Sequence, residues 1–164
     1  MFEFGRVAGT NRYRVLLREV DHVTDEIAIA ALIRDDRLLL AHRHPQRRWY
    51  PDCWDLVGGH VESGESPQEA VRRECREEIA VDLSELQPVA VDIDDSQLRA
   101  HAFRVTRWTG EPVNTEPEEH DALGWFTADE IAGLTLAHPS YVDWLPRLIA
   151  DTPTAEIGSS MRLA

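Results

Sequence analysis

The stretch GHVESGESPQEAVRRECREEIAV, residues 59–81, gathers nine acidic and basic side chains into one short span with two glycines, Gly59 and Gly64, toward its front. Ser66, Pro67 and Glu69 spell a capping box with proline at the first helical position, so a helix is predicted to begin at Ser66 and run to Ile79. Val71, Cys75 and Ile79 recur at i, i+4 and i+8 with Ala70 beside them, a stripe suited to packing on a sheet. Glu74, Glu77 and Glu78 stand at i, i+3 and i+4, which brings three carboxylates onto one patch of a neighbouring face. Carboxylates that close repel, and Arg72, Arg73 and Arg76 offset only part of the repulsion. Two readings follow: a solvated face of weak surface pairs, or a site for a divalent cation such as magnesium, which takes hard oxygen ligands completed by waters and substrate phosphates. The context favours the second, because Gly58 and Gly59 let backbone approach a ligand closely and Glu65 adds a carboxylate at the helix entrance.

Outward from this helix, EIAIAALIRDDRLLLAHR holds two apolar runs around Arg34-Asp35-Asp36-Arg37, the pattern of a hairpin with a polar turn. YRVLLREV, after a tail through about Gly9, reads as an earlier strand. A loop, HPQRRWYPDCWD, leads into the short apolar LVGGHV. Beyond Pro88, VAVDI and LRAHAFRVTRW read as strands around an Asp94-Asp95-Ser96 turn, and ALGWF as a last short strand. Helical patterns return at TADEIAGL and SYVDWLPRLIA. Strands on both sides of one helix, with more helix at the end, give an α/β protein with a mixed sheet covered by helices.

A chain of 164 residues with 43% hydrophobic composition is long enough for one core. The expectation is a single domain over residues 1–150 and a flexible tail over 151–164. The formal net charge is −13 and every basic residue is arginine, which opposes binding to a nucleic-acid backbone or an anionic membrane. A small phosphorylated ligand bridged by cations escapes that repulsion. Cys53 and Cys75 are too few for a disulfide framework and lack a paired metal-binding spacing. With no signal-peptide pattern, and IAIAALI at 27–33 as the longest apolar run, a cytoplasmic location is expected.

Residues 59–81 resemble the Nudix box of the MutT-like hydrolases, G-x5-E-x7-R-E-U-x-E-E-x-G-U with U a bulky apolar residue. Gly59, Glu65, Arg73, Glu74, Glu77 and Glu78 match in register, Cys75 fills the first apolar position and Val81 the last. Ala80 stands where the family has glycine. The flanks WYPDCWDLVGGHVE and EPEEHDALGWFTADEI resemble many bacterial members, so the likeness covers roughly residues 25–148. It implies a Nudix-type α/β/α sandwich with a mixed β-sheet, and Mg2+-dependent cleavage, with Mn2+ as a substitute, of a nucleoside diphosphate linked to another group.

By that resemblance Glu74, Glu77 and Glu78 are metal ligands joined by the Gly59 carbonyl, Arg73 orients the carboxylates, and Glu65 supports the helix entrance. The base that activates water is either a box glutamate, Glu77 or Glu78, or one of Glu118 and Glu119 in the later acidic loop TEPEEH. Arg43, with Arg47 and Arg48, is placed to meet phosphates, and Trp54, with Trp49 and Tyr50, to stack on a base. His42, His44, His60 and His101 show no metal-ligand spacing. In the subgroup that removes oxidised purine nucleotides, the segment after the late Trp-Phe strand reads the base with asparagine or aspartates. Here LTLAHPSYVDW offers His138 and Pro139, which argues against that specificity and leaves His138 as a substrate-binding candidate. Nucleoside triphosphates are the expected substrate class, with nucleotide sugars and dinucleoside polyphosphates as alternatives, and the protein is expected to be a monomer or homodimer. A nucleotide-sensing domain without activity is the competing class, and three intact glutamates count against it. An isomerase of the isopentenyl-diphosphate type needs a further cysteine and metal-binding histidines, which the spacing around Cys53 does not supply.

Overall fold

The structure, a computed structural model, describes residues 25–91, 93 and 97–151. Its centre is the expected hairpin. Strand β1 (Asp25–Arg34) turns into β2 (Arg37–Arg43) with Ile33 opposite Leu38 and Arg34 opposite Arg37. Asp35 and Asp36 hold φ of 52° and 55°, the left-handed pair that a two-residue turn between twisted strands demands and that aspartate tolerates. After the long loop come β3 (Trp54–Asp55) and β4 (Val57–His60), then helix α1 (Pro67–Ile79). The chain continues through β5 (Asp82–Leu83), β6 (Gln87–Val89), β7 (Leu98–Val105), β8 (Trp108–Thr109) and β9 (His120–Phe126). Helices α2 (Ala128–Ile131) and α3 (Tyr141–Ala150) close it.

The sheet is mixed. β1 runs parallel to β7, from Asp25 opposite Leu98 to Leu32 opposite Val105, and antiparallel to β4 through Ile27–His60 to Ala30–Val57. β2 carries β3 and β9, both antiparallel, and β6 edges β7. β5 and β8 form a separate two-stranded ribbon. Because side chains alternate across a strand, Ala28, Ala30 and Leu32 of β1 pack with Ala70, Val71, Cys75 and Ile79 of α1. Ile29, Ala31 and Ile33 pack on the other side with Ile131, Trp144, Leu145 and Leu148. Helices thus cover both faces, the α/β/α sandwich.

Helix α1 has the predicted start. Ser66 is the N-cap, its hydroxyl accepts from the Glu69 N–H at 3.2 Å, and the Glu69 carboxylate accepts from the Ser66 N–H at 2.8 Å. At the other end Ala80 adopts φ 57°, ψ 36°, and the Val81 N–H donates to the Cys75 carbonyl at 3.2 Å, a left-handed cap that glycine occupies without a Cβ penalty. Ala80→Gly is therefore expected to raise unfolding free energy by about 1 kcal/mol, read by urea denaturation; an unchanged midpoint would show that alanine sits there without strain.

Three local expectations shift. VAVDI is predicted as a strand, yet the strand lies earlier, at Gln87–Val89, on the sheet edge where Pro88 needs no ladder donor. TADEIAGL yields a single helical turn, capped by Thr127 and ended where Gly133 bonds back to the Glu130 carbonyl. The loop HPQRRWYPDCWD ends in β3 rather than running free to LVGGHV. The strand YRVLLREV, the N-terminal tail, the Asp94-Asp95-Ser96 turn and all but the first residue of the C-terminal tail lie outside the described residues. Among those described, no helix is long and apolar enough to cross a membrane.

Candidate active site

The hydrophobic stripe of α1 faces the sheet, so the helix presents its acidic patch to β4 and to the loop before β9. Arg73 organises that patch. Its guanidinium donates to both Glu65 oxygens at 3.0 Å, to Glu74 at 2.6 Å, to Glu77 at 3.3 Å and to the His60 carbonyl at 3.0 Å. The hydrogen bonds to Glu65, then those to Glu74, hold the guanidinium charged, and Arg73 in turn holds the Glu65 carboxyl below its ordinary value. Glu74 lies against Gly59: a Cβ added there would meet its carboxyl carbon at 2.6 Å. Gly59 is thus a cradle for a carboxylate, and a side chain there would displace Glu74 from it. Burial raises the Glu74 carboxyl, and Arg73 opposes the rise.

Among the described residues Glu78 is the least exposed acid. It is 5% exposed, accepts from the Gly58 N–H, and leaves its Oε2 without a partner. Burial first, then repulsion from Glu74, Glu119 and Asp55, pushes its carboxyl up to about 8. Glu119 and His120 complete a group whose ligand atoms, with one from Glu78, all lie within 4.8 Å of one another. Their loop is drawn to the helix by Val113 N–H on Ile79 O at 3.1 Å, Thr115 N–H on Glu78 O at 3.0 Å, and the Thr115 hydroxyl on the Glu77 carbonyl. Burial holds His120 below its ordinary pKa, which favours the neutral ring, and its buried Nδ1 lacks a partner. Glu78 and His120 thus each keep one buried polar atom without a partner, in residues that can offer ligand atoms to a common ion.

The sequence-predicted residues fall into groups. Gly59, Arg73, Glu74, Glu77 and Glu78 meet at one end of the sheet; Glu74 and Glu77 are paired with Arg73, while Glu78 faces Glu119 and His120. Glu119 reaches the group and Glu118 is exposed outside it. Arg43 turns inward, donating to the Trp49 and Tyr50 carbonyls at 2.9 Å and to Asp55 at 3.4 Å, so it braces the loop. Trp54 is half-buried, edge-on to His42 and Phe126 at ring separations of 5.0 and 4.7 Å. The His138 ring bonds Ser140 at 2.8 Å and tilts against Tyr141.

Three residues escaped the sequence reading: His120, Asp55 and Tyr141. The Asp55 carboxylate is raised by burial, eased by Arg43, the Leu56 N–H and the Tyr141 hydroxyl at 3.2 Å. Burial and Asp55 together push the Tyr141 phenol up. His120 ended the acidic loop TEPEEH and was the one signal available; Asp55 and Tyr141 are 86 positions apart and carried none.

The raised Glu78 carboxyl makes a stability prediction. A carboxyl whose pKa rises on folding holds its proton in the native state between its unfolded value near 4.5 and about 8. Its stabilising contribution is complete below 4.5 and is lost as pH climbs through 8. Glu78→Gln keeps the shape and removes the charge. In EDTA, the variant's Tm should exceed that of the parent by about 3 °C or more at pH 9 and by far less at pH 6. Parallel Tm profiles would show that Glu78 does not titrate as a buried group.

The family profile of the NUDIX domain matches residues 24–148. The CTP pyrophosphohydrolase of Escherichia coli (strain K12) is 30% identical over 142 residues, 85% of this chain and 94% of that protein. The isopentenyl-diphosphate Delta-isomerase of Corynebacterium diphtheriae is 30% identical over 145 residues, 84% of this chain and 76% of that one. The crystal structure of a MutT NUDIX hydrolase from Burkholderia pseudomallei superposes with a TM-score of 0.58 at 35% identity, covering 65% of this chain and 84% of the other.

Proposed function

Since the chain belongs to the NUDIX family, as a hydrolase of the group that acts on nucleotide derivatives, we propose that it is a magnesium-dependent pyrophosphohydrolase converting a nucleoside triphosphate to monophosphate and pyrophosphate. The observation that carries this reading is Glu78, buried with an unpartnered Oε2 and grouped with Glu119 and His120, while Glu74 lies in the Gly59 cradle. The donors fit a hard divalent cation: Glu74, Glu77 and Glu78, with the Gly59 carbonyl, would hold it, and Mn2+ suits the same oxygens. When bound, the cation shields phosphate charge and lowers the pKa of a water nucleophile.

The chain's own residues do the remaining work. Arg73, fixed by Glu65, holds Glu74 on the buried side and Glu77 at the exposed edge, and so sets where the carboxylates face. Glu78, 5% exposed and anchored by the Gly58 N–H, presents its carboxyl from the buried side. Glu119, half-exposed and adjacent to Glu78, accepts the proton of the attacking water; Arg47, 3.0 Å from its carboxylate, fixes its direction. Glu119→Gln should lower kcat about a hundredfold, whereas Glu118→Gln, outside the cluster, should change it less than about twofold; equal effects would remove Glu119 from the role. Cys53 does not suit the isomerase chemistry of the Corynebacterium relative: it is buried, donates to the Tyr50 carbonyl at 3.1 Å, and has its thiol raised by burial, the opposite of activation.

The test is a screen of nucleoside triphosphates, nucleotide sugars and dinucleoside polyphosphates with Mg2+ and with Mn2+, scored for monophosphate and pyrophosphate. Triphosphates should turn over fastest. Binding without turnover would make the domain a sensor; turnover of nucleotide sugars alone would reassign its substrate.

A further inference from the structure

Between β2 and β3 the chain makes a loop whose two aromatic residues, Trp49 and Tyr50, are 67% and 57% exposed. A single exposed apolar side chain is ordinary, but adjacent aromatics on a braced loop are not. Arg43 donates to the Trp49 and Tyr50 carbonyls at 2.9 Å, the Cys53 thiol donates to the Tyr50 carbonyl, and the Arg43 N–H donates to the Cys53 carbonyl at 2.8 Å. Tyr50 and Asp52 sit at φ of 49° and 55°, left-handed positions that non-glycine residues keep only when their surroundings impose them. The loop is also tied to the candidate site, since Arg47 pairs with Glu119 at 3.0 Å and the His44 N–H donates to the Glu119 carbonyl at 2.8 Å. Arg48 lies over the Trp49 ring at 5.3 Å. In a chain of net charge −13, this loop concentrates cations and π faces beside an acidic centre.

The geometry points to a base-stacking platform: the Trp49 face, flanked by Tyr50 and Arg48, stacks on the nucleobase of a nucleotide whose phosphates reach toward Glu119 and the α1 carboxylates. This rests on the reading of the site as a nucleotide hydrolase and adds the group that holds the base. Stacking uses the ring face that every base possesses, so the platform contributes affinity without selecting base identity. Arginine beside the ring adds attraction for the phosphate-bearing ligand.

Calorimetric binding of α,β-methylene-ATP and of inorganic tripolyphosphate, both with Mg2+, tests it on the full chain, Trp49→Ala and Trp49→Phe. Trp49→Ala should weaken the nucleotide at least about fivefold, Trp49→Phe should retain most of the affinity, and tripolyphosphate should bind all three proteins alike. Nucleotide affinity unchanged in Trp49→Ala overturns the platform and leaves the hydrolase reading standing. Parallel loss of both ligands also overturns it, because the loop then serves the phosphates or the fold. Failure of the parent chain to bind either ligand overturns the nucleoside-triphosphate reading and the platform with it.

Discussion

Glu77→Gln is expected to lower kcat on the order of a thousandfold while leaving Tm within about 2 °C of the parent. The contrast follows from the position of the side chain. Its carboxylate is 56% exposed and has one ion pair, with Arg73 at 3.3 Å, which in solvent contributes little to stability. Its backbone carbonyl, engaged by Thr115, is untouched by the substitution. A cation held against a diphosphate, in contrast, needs each negative oxygen, and an amide oxygen is a poorer ligand that leaves more phosphate charge unshielded. Steady-state kinetics with Mg2+ and thermal melts of the same preparation decide the matter. Turnover equal to that of the parent would mean that Glu77 takes no part in holding the cation.

Gly58→Ala should destabilise the fold by at least about 3 kcal/mol. Gly58 holds φ of 150°, and a Cβ there would meet the Ala28 carbonyl oxygen at 2.1 Å and the Ile29 Cα at 2.8 Å. These are backbone atoms of β1, the strand that pairs with both β4 and β7, so they cannot move aside without parting the sheet. Gly64 supplies the control. It also has a positive φ, 82°, but a Cβ there meets nothing within 4 Å, so Gly64→Ala should cost only about 1 kcal/mol. Urea denaturation of both variants reads the difference; similar midpoints would show that the β1–β4 contact yields easily.

What the sequence disclosed was whatever depends on neighbours in the chain. The capping box at Ser66 and Glu69 and the apolar stripe Val71-Cys75-Ile79 are set within a turn or two of helix, and both stand in the structure. The Asp35-Asp36 turn was legible for the same reason. Asp55, Tyr141 and His120 were not, because their surroundings are assembled by the sheet: β3 pairs with β2, β9 pairs with β2 on its other edge, and α3 brings Tyr141 over Asp55. Arg43 illustrates the limit from the other side. Its charge in a basic loop suggested a phosphate contact, whereas the fold turns its guanidinium onto the loop carbonyls and Asp55.

The family membership accounts for the acidic helix only if those acids act together on a cation, and one measurement reaches that directly. Crystals grown with Mn2+ and a non-hydrolysable nucleoside triphosphate should show anomalous density bounded by the carboxylates of Glu74, Glu77 and Glu78 and by a phosphate oxygen. Density confined elsewhere, with Glu78 out of contact with both metal and nucleotide, would contradict the account.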